Sequence, residues 1–320
     1  MRASIIMAVH NGARHLPAAL ASLTSQTFRE WELVVVDDGS TDDTAQQLEQ
    51  FARQDRRVAL IRQEHRGLTV SLNRAIAAAG GAYLARHDAD DLSHPQRLER
   101  QVRYLERQPR VAAVGTAGEV IGAEGEILAP LATRRRGAAI RRGLRSARVT
   151  PIHGSMMMRR DALAAVGGYR EAFRFSQDVD LWLRILERFE MANLPERLYQ
   201  WRLNPQGVYA AQRLMQLKYC GVALAFARER ARFGQDSYDV LAASGGDVEA
   251  FAARYRLRGL LHGLWAELFV RARLAPATAC EQIDQALRCG YWHPKSVFLY
   301  GWSRLGFAWP GRAPLGAARP

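Results

Sequence analysis

Three groups of carboxylates stand out by their spacing. Asp88-Ala89-Asp90-Asp91 puts three acids into four positions, Asp37-Asp38 runs into Gly39-Ser40, and Gln177-Asp178-Val179-Asp180 opens a stretch with helical periodicity. Carboxylates two residues apart supply the hard oxygen donors that magnesium and manganese prefer, and such ions usually also take oxygens from substrate phosphates. An aspartate at a strand end can accept from a base N–H or a ribose hydroxyl. One at the head of a helix can act as a general base toward an incoming hydroxyl. Each group has a plainer reading too. Asp88 and Asp90 suit a polar turn, Asp38 and Ser40 suit a helix cap, and Asp178 and Asp180 suit the positive end of a helix dipole. Trp182 offers a flat face to a ring, or is core, the commoner fate of a tryptophan at helical spacing.

The elements around these residues decide between the readings. Residues 5–9, 32–36, 58–61 and 83–85 are short apolar or β-branched runs. Between them, residues 15–27, the stretch carrying Ala45, Leu48 and Phe51, and residues 70–79 have helical spacing. Repeated strand–helix–strand units predict a parallel sheet with right-handed crossovers. Asp37-Asp38 and residues 88–91 then fall at carboxyl ends of strands, where open α/β sheets bind ligands. Two acidic groups at equivalent ends of one sheet favour a shared site over two coincidences.

Farther along, residues 95–108 read as a charged helix that buries Leu98, Val102 and Leu105, and 111–114 as a strand. Residues 119–128 read as a hairpin, 155–158 as a strand, and 160–166 and 178–189 as helices. Past about Pro205 the composition turns helical, with residues 212–233 and 248–273 the longest periodic stretches. The expected division is 1–205 for the catalytic domain and 206–320 for a mainly helical region. The tail, with Trp292, Phe298, Tyr300, Trp302, Phe307 and Trp309, suits a membrane interface, a partner, or packing on the catalytic domain alike.

The 320 residues are long enough for a full core. Lysine and arginine number 45 against 32 acids, a net charge of +13, and the only lysines are Lys218 and Lys295. Arginine matches phosphate and carboxylate geometry, so the charge permits anionic partners without choosing one. Arg134, Arg135, Arg136, Arg141, Arg142, Arg145 and Arg148 lie in a stretch without an acid. That stretch suits an anionic acceptor or an anionic membrane face, and equally an exposed, solvated loop. Cys220, Cys280 and Cys289 show no paired spacing, which suits a reducing compartment. No run approaches eighteen apolar residues, and the apolar start reads as a first strand rather than a signal peptide. No G-x-G-x-x-G or G-x-x-x-x-G-K motif occurs.

Taken in order, residues 4–11, Ser25-Gln26-Thr27, 32–41, 67–73, 85–92, 95–105, 151–158, 167–169, 178–184 and Trp201-Arg202 resemble the family 2 glycosyltransferases. The resemblance covers about residues 3–205. It implies a GT-A fold: an α/β, Rossmann-like, mostly parallel sheet flanked by helices, here with a helical C-terminal extension. It further implies inverting transfer of one sugar from a nucleotide-sugar donor, commonly uridine-linked, to a carbohydrate or lipid-linked acceptor. Such enzymes serve cell-surface polysaccharide, lipopolysaccharide and glycoconjugate synthesis. By the same resemblance Ala8, His10, Asn11, Asp38, Arg86 and Asp88 line the nucleotide pocket, and Asp90 holds a divalent manganese or magnesium ion. Asp178 is the catalytic base, His153 and Trp182 lie on the acceptor side, and Arg202 lies near the diphosphate. His10 stands where tyrosine is common, His65 where asparagine is frequent, and Gln177 where glutamate often precedes the base. No Q-x-x-R-W motif occurs, so processive synthesis is disfavoured. The expected location is cytoplasmic, peripheral on the inner membrane face, with no specific nucleic acid bound. The rival readings are a nucleotidyltransferase, which would want a glycine-rich phosphate loop after the first strand, and a basic nucleic-acid-binding protein, which would want a recognisable module.

Overall fold

The computed structural model describes residues 2–131, 133, 137–145, 151–203, 213–255 and 257–271, together with 281, 282, 285 and 288. The chain divides into two compact units, Met1–Arg213 and Leu214–Pro320.

The first unit begins β1 (Ala3–Val9), α1 (Leu16–Thr24), β2 (Trp31–Asp38), α2 (Thr44–Gln54), β3 (Val58–Gln63), α3 (Leu68–Ala78) and β4 (Tyr83–Arg86). It continues β5 (Leu92–Ser93), α4 (Arg97–Arg107), β6 (Val111–Ile121), β7 (Ile127–Leu131) and α5 (Gly137–Arg145). A 3-10 turn (His153–Ser155), β8 (Met157–Arg159), α6 (Arg160–Ala165), α7 (Gln177–Arg188) and β9 (Glu190–Arg202) complete it. The strands form one sheet in the order β3-β2-β1-β4-β8-β6-β9-β5, with β7 added to β6. The sheet is mixed. β3, β2, β1 and β4 run parallel, as the alternating pattern predicts, whereas β8 and β5 join their neighbours antiparallel and β9 pairs parallel with β6.

The parallel half is continuous apolar sequence because helices cover it. Ile5, Leu33, Val35, Ala85, Leu16, Leu20 and Leu48 belong to one buried cluster. Register then fixes where the strands stop. Val9 lies opposite Asp37, Asp38 opposite Gln63, and Ile6 opposite Arg86. The loops after β1, β2 and β4 therefore leave the sheet side by side. Where β1 parts β2 from β4 the connections diverge, which opens a crevice at the carboxyl ends.

Three elements depart from the expected pattern. The hairpin over 119–128 forms between β6 and β7, but β6 is 11 residues long and runs back to Val111. β9 takes 13 residues through Pro195, Glu196 and Arg197, which break its apolar run. The pairing passes from Thr116 with Leu194 to Ala117 with Arg197, so Pro195 and Glu196 sit in an irregularity where a missing donor costs little. Part of the arginine-rich stretch is helical: α5 buries Ile140 and Leu144 and leaves Arg142 and Arg145 exposed. Arg134, Arg135, Arg136 and Arg148 lie outside the described residues.

The second unit contains α8 (Arg213–Phe233, whose first residue belongs to the first unit), α9 (Tyr238–Ala243), α10 (Val248–Arg254) and α11 (Arg258–Arg271). The periodic stretch over 248–273 is thus two helices, with Tyr255 and Leu257 between them outside either. Phe226 and Phe251 meet edge to face with centroids 5.6 Å apart, and Trp265 Nε1 donates to the Lys218 carbonyl at 2.8 Å. No described helix is long and apolar enough to cross a membrane. The aromatic tail over 291–309 lies outside the described residues.

Candidate active site

One wall of the candidate site comes from the loops after β1, β2 and β3. Asn11 has a left-handed backbone (φ 52°), which asparagine tolerates better than most residues. Its Oδ1 accepts from the Thr41 amide at 2.8 Å, and its own amide donates to Ser40 Oγ at 3.0 Å. These two bonds tie the first loop to the second. Ala8, half-buried near the end of β1, pairs in register with Val36. Asp38 is buried and collects the third loop around its carboxylate. Oδ1 accepts from Gln63 Nε2 at 2.6 Å and the Arg66 amide at 2.8 Å, and Oδ2 from the Gly67 amide at 2.8 Å. Burial pushes its pKa up, but these donors outweigh burial and hold it below the usual carboxylate range. Gly67 sits at φ 89°, a conformation glycine adopts without strain. His10 and His65 both point Nδ1 at the Asp38 carbonyl, at 2.9 and 3.2 Å, with ring centroids 4.2 Å apart.

The acidic loop follows β4. Arg86 is fully buried, and its guanidinium donates to Asp88 Oδ1 and to the His87 carbonyl. Asp90 is half-buried, and its pKa is raised to about 6 by burial and by the charge of Asp88. Asp91 is 1% exposed and is pushed well up by burial and by Asp88 and Asp90. Asp91 Oδ1 accepts the Arg202 amide at 2.7 Å, whereas its buried Oδ2 has no hydrogen-bond partner among the described residues. Burial and neighbouring carboxylates raise the proton affinity of Asp90 and Asp91, and together with the orphaned Asp91 oxygen they form an environment that a cation would relieve. Hard oxygen donors at Asp88 and Asp90 fit magnesium or manganese. The described residues contain no cluster of three protein ligands that could hold a metal unaided. Substrate oxygens and water would have to complete the shell, as is usual for magnesium.

The opposite wall is α7. Ser176, just before it, is the other described non-glycine residue with positive φ (52°). Asp178 lies half-buried in the first turn of α7. Burial raises its pKa to about 6. First-turn amides oppose that shift, and Asp88 adds to it. Trp182, one turn along α7 from Asp178, has its ring centroid 6.1 Å from that of His153, and a Cβ at the adjacent Gly154 would come within 2.7 Å of Asp88 Oδ2, so the start of α7 and the acidic loop are neighbours. Asp180 does different work. It is buried and holds Arg184 through Nε at 2.9 Å and Nη2 at 2.8 Å, and Arg184 Nη2 also donates to the Gly168 carbonyl at 2.8 Å. This pair locks the turn that carries Tyr169. Tyr169 Oη lies 2.7 Å from His153 Nε2, and burial and Arg86 lower the His153 pKa to about 3, so its ring is neutral at physiological pH.

Trp182 and Arg202, two of the expected positions, are buried, and Trp182 takes the core reading. Trp182 is completely buried, with its ring centroid 6.1 Å from that of His153, so it backs the histidine and offers no face to a sugar. Arg202 is buried against the acidic loop. Its Nε donates to the Asp90 carbonyl at 2.8 Å, and its Nη1 to the Gly122 and Ala123 carbonyls at 2.7 and 2.8 Å. It fastens the acidic loop to the β6–β7 hairpin.

Residues 4–167, half of the chain, match the family described as Glycosyl transferase family 2. The chain belongs to that family. It is 38% identical over 211 residues to the putative glycosyltransferase EpsE of Bacillus subtilis (strain 168), covering 63% of this chain and 73% of the relative. Its fold is similar to that of S. aureus TarS 1-349 in complex with UDP-GlcNAc, with a TM-score of 0.64 at 16% identity. That match covers 96% of this chain and 93% of the other. It is also similar to mannosyltransferase PcManGT from Pyrobaculum calidifontis, in complex with GDP-Man and Mn2+. There the TM-score is 0.58 at 21% identity, over 95% and 80% of the two chains.

This family 2 chain is thus a glycosyltransferase on a GT-A fold, and the nucleotidyltransferase and nucleic-acid readings find no support. The site also contains residues that spacing did not single out. Arg97 and Gln101 lie one turn apart on the buried face of α4. Arg97 Nη1 donates to the Arg86 and Gly154 carbonyls at 3.0 and 2.8 Å, and Gln101 Nε2 to the Val114 and Ser155 carbonyls at 2.8 and 2.7 Å. Burial lowers the Arg97 pKa to about 10, which still leaves it charged. The signal was present: polar residues at i and i+4 beside the apolar stripe of Leu98, Val102 and Leu105. Gly154 and Tyr199 gave no such signal. A Cβ at Gly154 would overlap the Tyr199 hydroxyl and come within 2.7 Å of Asp88 Oδ2, an approach visible only in three dimensions.

Proposed function

We propose that this glycosyltransferase moves one sugar from a nucleoside-diphosphate sugar, uridine-linked by preference, to a hydroxyl of a carbohydrate or lipid-linked acceptor. Transfer goes with inversion, in the synthesis of a surface polysaccharide or glycoconjugate. The observation that supports the reading is the approach of α7, which carries the base candidate Asp178, to the acidic loop through His153 and Gly154. Asp178 takes the proton of the acceptor hydroxyl as that oxygen attacks the anomeric carbon. The bond from the anomeric carbon to the diphosphate breaks on the opposite face, and the nucleoside diphosphate leaves. The His10–His65 pair, Asn11 and the loop gathered by Asp38 form the wall for the base and ribose, beside Ala8. Arg86 orients Asp88, and His153, held neutral, lies on the acceptor side. Asp88 and Asp90 are the residues that would hold a divalent ion, which when bound neutralises charge on the departing diphosphate. The manganese in the PcManGT complex and the UDP-GlcNAc in the TarS complex support these assignments by likeness of fold.

The test is product analysis with a panel of nucleotide sugars and manganese. Release of nucleoside diphosphate with a glycosylated product of inverted anomeric configuration is expected. A retained configuration would remove the single-displacement mechanism, and full turnover in excess chelator would remove the metal.

A further inference from the structure

The acidic loop poses a mechanical question. Three neighbouring carboxylates, two of them half-buried and one fully buried, repel one another, so something rigid must hold their backbone. Arg202 holds the far end, through the Asp90 carbonyl and the Asp91 carboxylate. The near end is held from the same strand, β9. The Asp88 amide donates to the Tyr199 hydroxyl at 3.1 Å.

We propose that Tyr199 is a positioning residue for the metal and diphosphate, fixing the backbone of Asp88 so that the Asp88 and Asp90 carboxylates face the donor. The inference rests on the metal reading given above. Tyr199 has no route to substrate itself: it is 1% exposed and sits on a strand paired on both sides, opposite Gly118 of β6 and Ser93 of β5. Its ring is fixed as well. The His87 ring meets it edge-on at 5.5 Å, and the Arg97 guanidinium lies 5.3 Å from its centroid. A phenol oxygen can accept a hydrogen bond as well as donate one, so the Tyr199 hydroxyl can take the Asp88 amide proton. Gly154 completes the arrangement, since a side chain there would occupy the place of that hydroxyl. Residues that orient metal ligands from behind commonly change metal affinity by about 10–100-fold when removed.

Tyr199→Phe keeps the ring and its packing and removes one oxygen. Manganese binding is measured without turnover, from the electron paramagnetic resonance signal of free Mn2+ titrated with protein plus UDP, with GDP in parallel. Thermal unfolding in chelator and steady-state kinetics accompany it. The expected result is an apparent Mn2+ dissociation constant raised about 10-fold, with kcat at saturating metal changed little and the metal-free melting temperature nearly unchanged. Equal Mn2+ affinity in wild type and variant overturns the inference and leaves the metal reading standing. So does a lowered melting temperature with unchanged Mn2+ affinity, which makes the hydroxyl merely structural. A wild type that binds no Mn2+ with either nucleotide overturns the metal reading, and this inference with it.

Discussion

Asp178 in the first turn of α7 is coupled to Asp88 in the loop after β4: burial raises the Asp178 pKa to about 6, and the charge of Asp88 adds to that rise. Ninety residues of sequence separate them, and the crevice between strand ends and helix brings them together. For the base role proposed for Asp178 this matters twice. A carboxylate with raised proton affinity is a better proton acceptor, and it remains mostly ionised at neutral pH.

Asp178→Asn should lower kcat about 10²–10⁴-fold while leaving the donor dissociation constant within a few-fold, as calorimetry with the donor would show. In the wild type, kcat/KM should fall as pH drops below about 6, because the base becomes protonated. The stability effect has the opposite sign. A folded pKa above the unfolded value favours the protonated form, so this contribution is present at low pH and is lost as pH rises through about 6.

Asp90 follows the same rule, its pKa being raised from 3.8 to about 6. Asp90→Asn removes a charge that the metal-free fold tolerates poorly. At pH 8 in chelator its stability should rise by on the order of 1 kcal/mol, a few degrees in melting temperature. The gain should vanish near pH 4, where wild-type Asp90 is itself largely protonated. Added manganese and nucleotide should then stabilise the wild type and not the variant. Differential scanning calorimetry at both pH values gives the comparison.

Gly154→Ala should be far more damaging than its size suggests. The added methyl would overlap the Tyr199 hydroxyl and crowd Asp88 Oδ2. Overpacking of this kind costs typically about 1–3 kcal/mol. Because the displaced groups are Asp88 and the Tyr199 hydroxyl that bonds its amide, kcat/KM should fall by at least about 10-fold if they orient a metal. Urea unfolding and initial rates at varied metal would separate the two losses.

Helix α5 buries Ile140 and Leu144 while Arg142 and Arg145 face solvent. If the basic stretch meets an anionic surface, Arg142→Gln with Arg145→Gln should weaken co-sedimentation with phosphatidylserine vesicles by about 1 kcal/mol per arginine. Turnover of a small soluble acceptor should be unaffected. Binding equal to wild type, at low and at physiological salt, would leave these arginines as a solvated face.

The parallel half of the fold was legible because its signal is local. Buried strands read as short apolar runs, and acids at their ends mark where they stop. The antiparallel half was not. β9 passes through Pro195-Glu196-Arg197, β5 is two residues long, and β8 pairs with β4 far from it in sequence. The same contrast holds within the site. Asp38, Asp88, Asp90 and Asp178 announce themselves by residue type, whereas the work of Tyr199, Arg97 and Gly154 consists of contacts across long sequence distances. Trp182 and Arg202 show that residue type alone does not reveal packing: Trp182 is fully buried and Arg202 is bonded to three backbone carbonyls.

Asn11 bonds to both Ser40 and Thr41, so the loops after β1 and β2 behave as one piece. Redesigning this enzyme for a different nucleotide by exchanging one loop would drag the other out of place. Successful exchanges will have to transplant residues 10–14 and 38–44 as a matched pair.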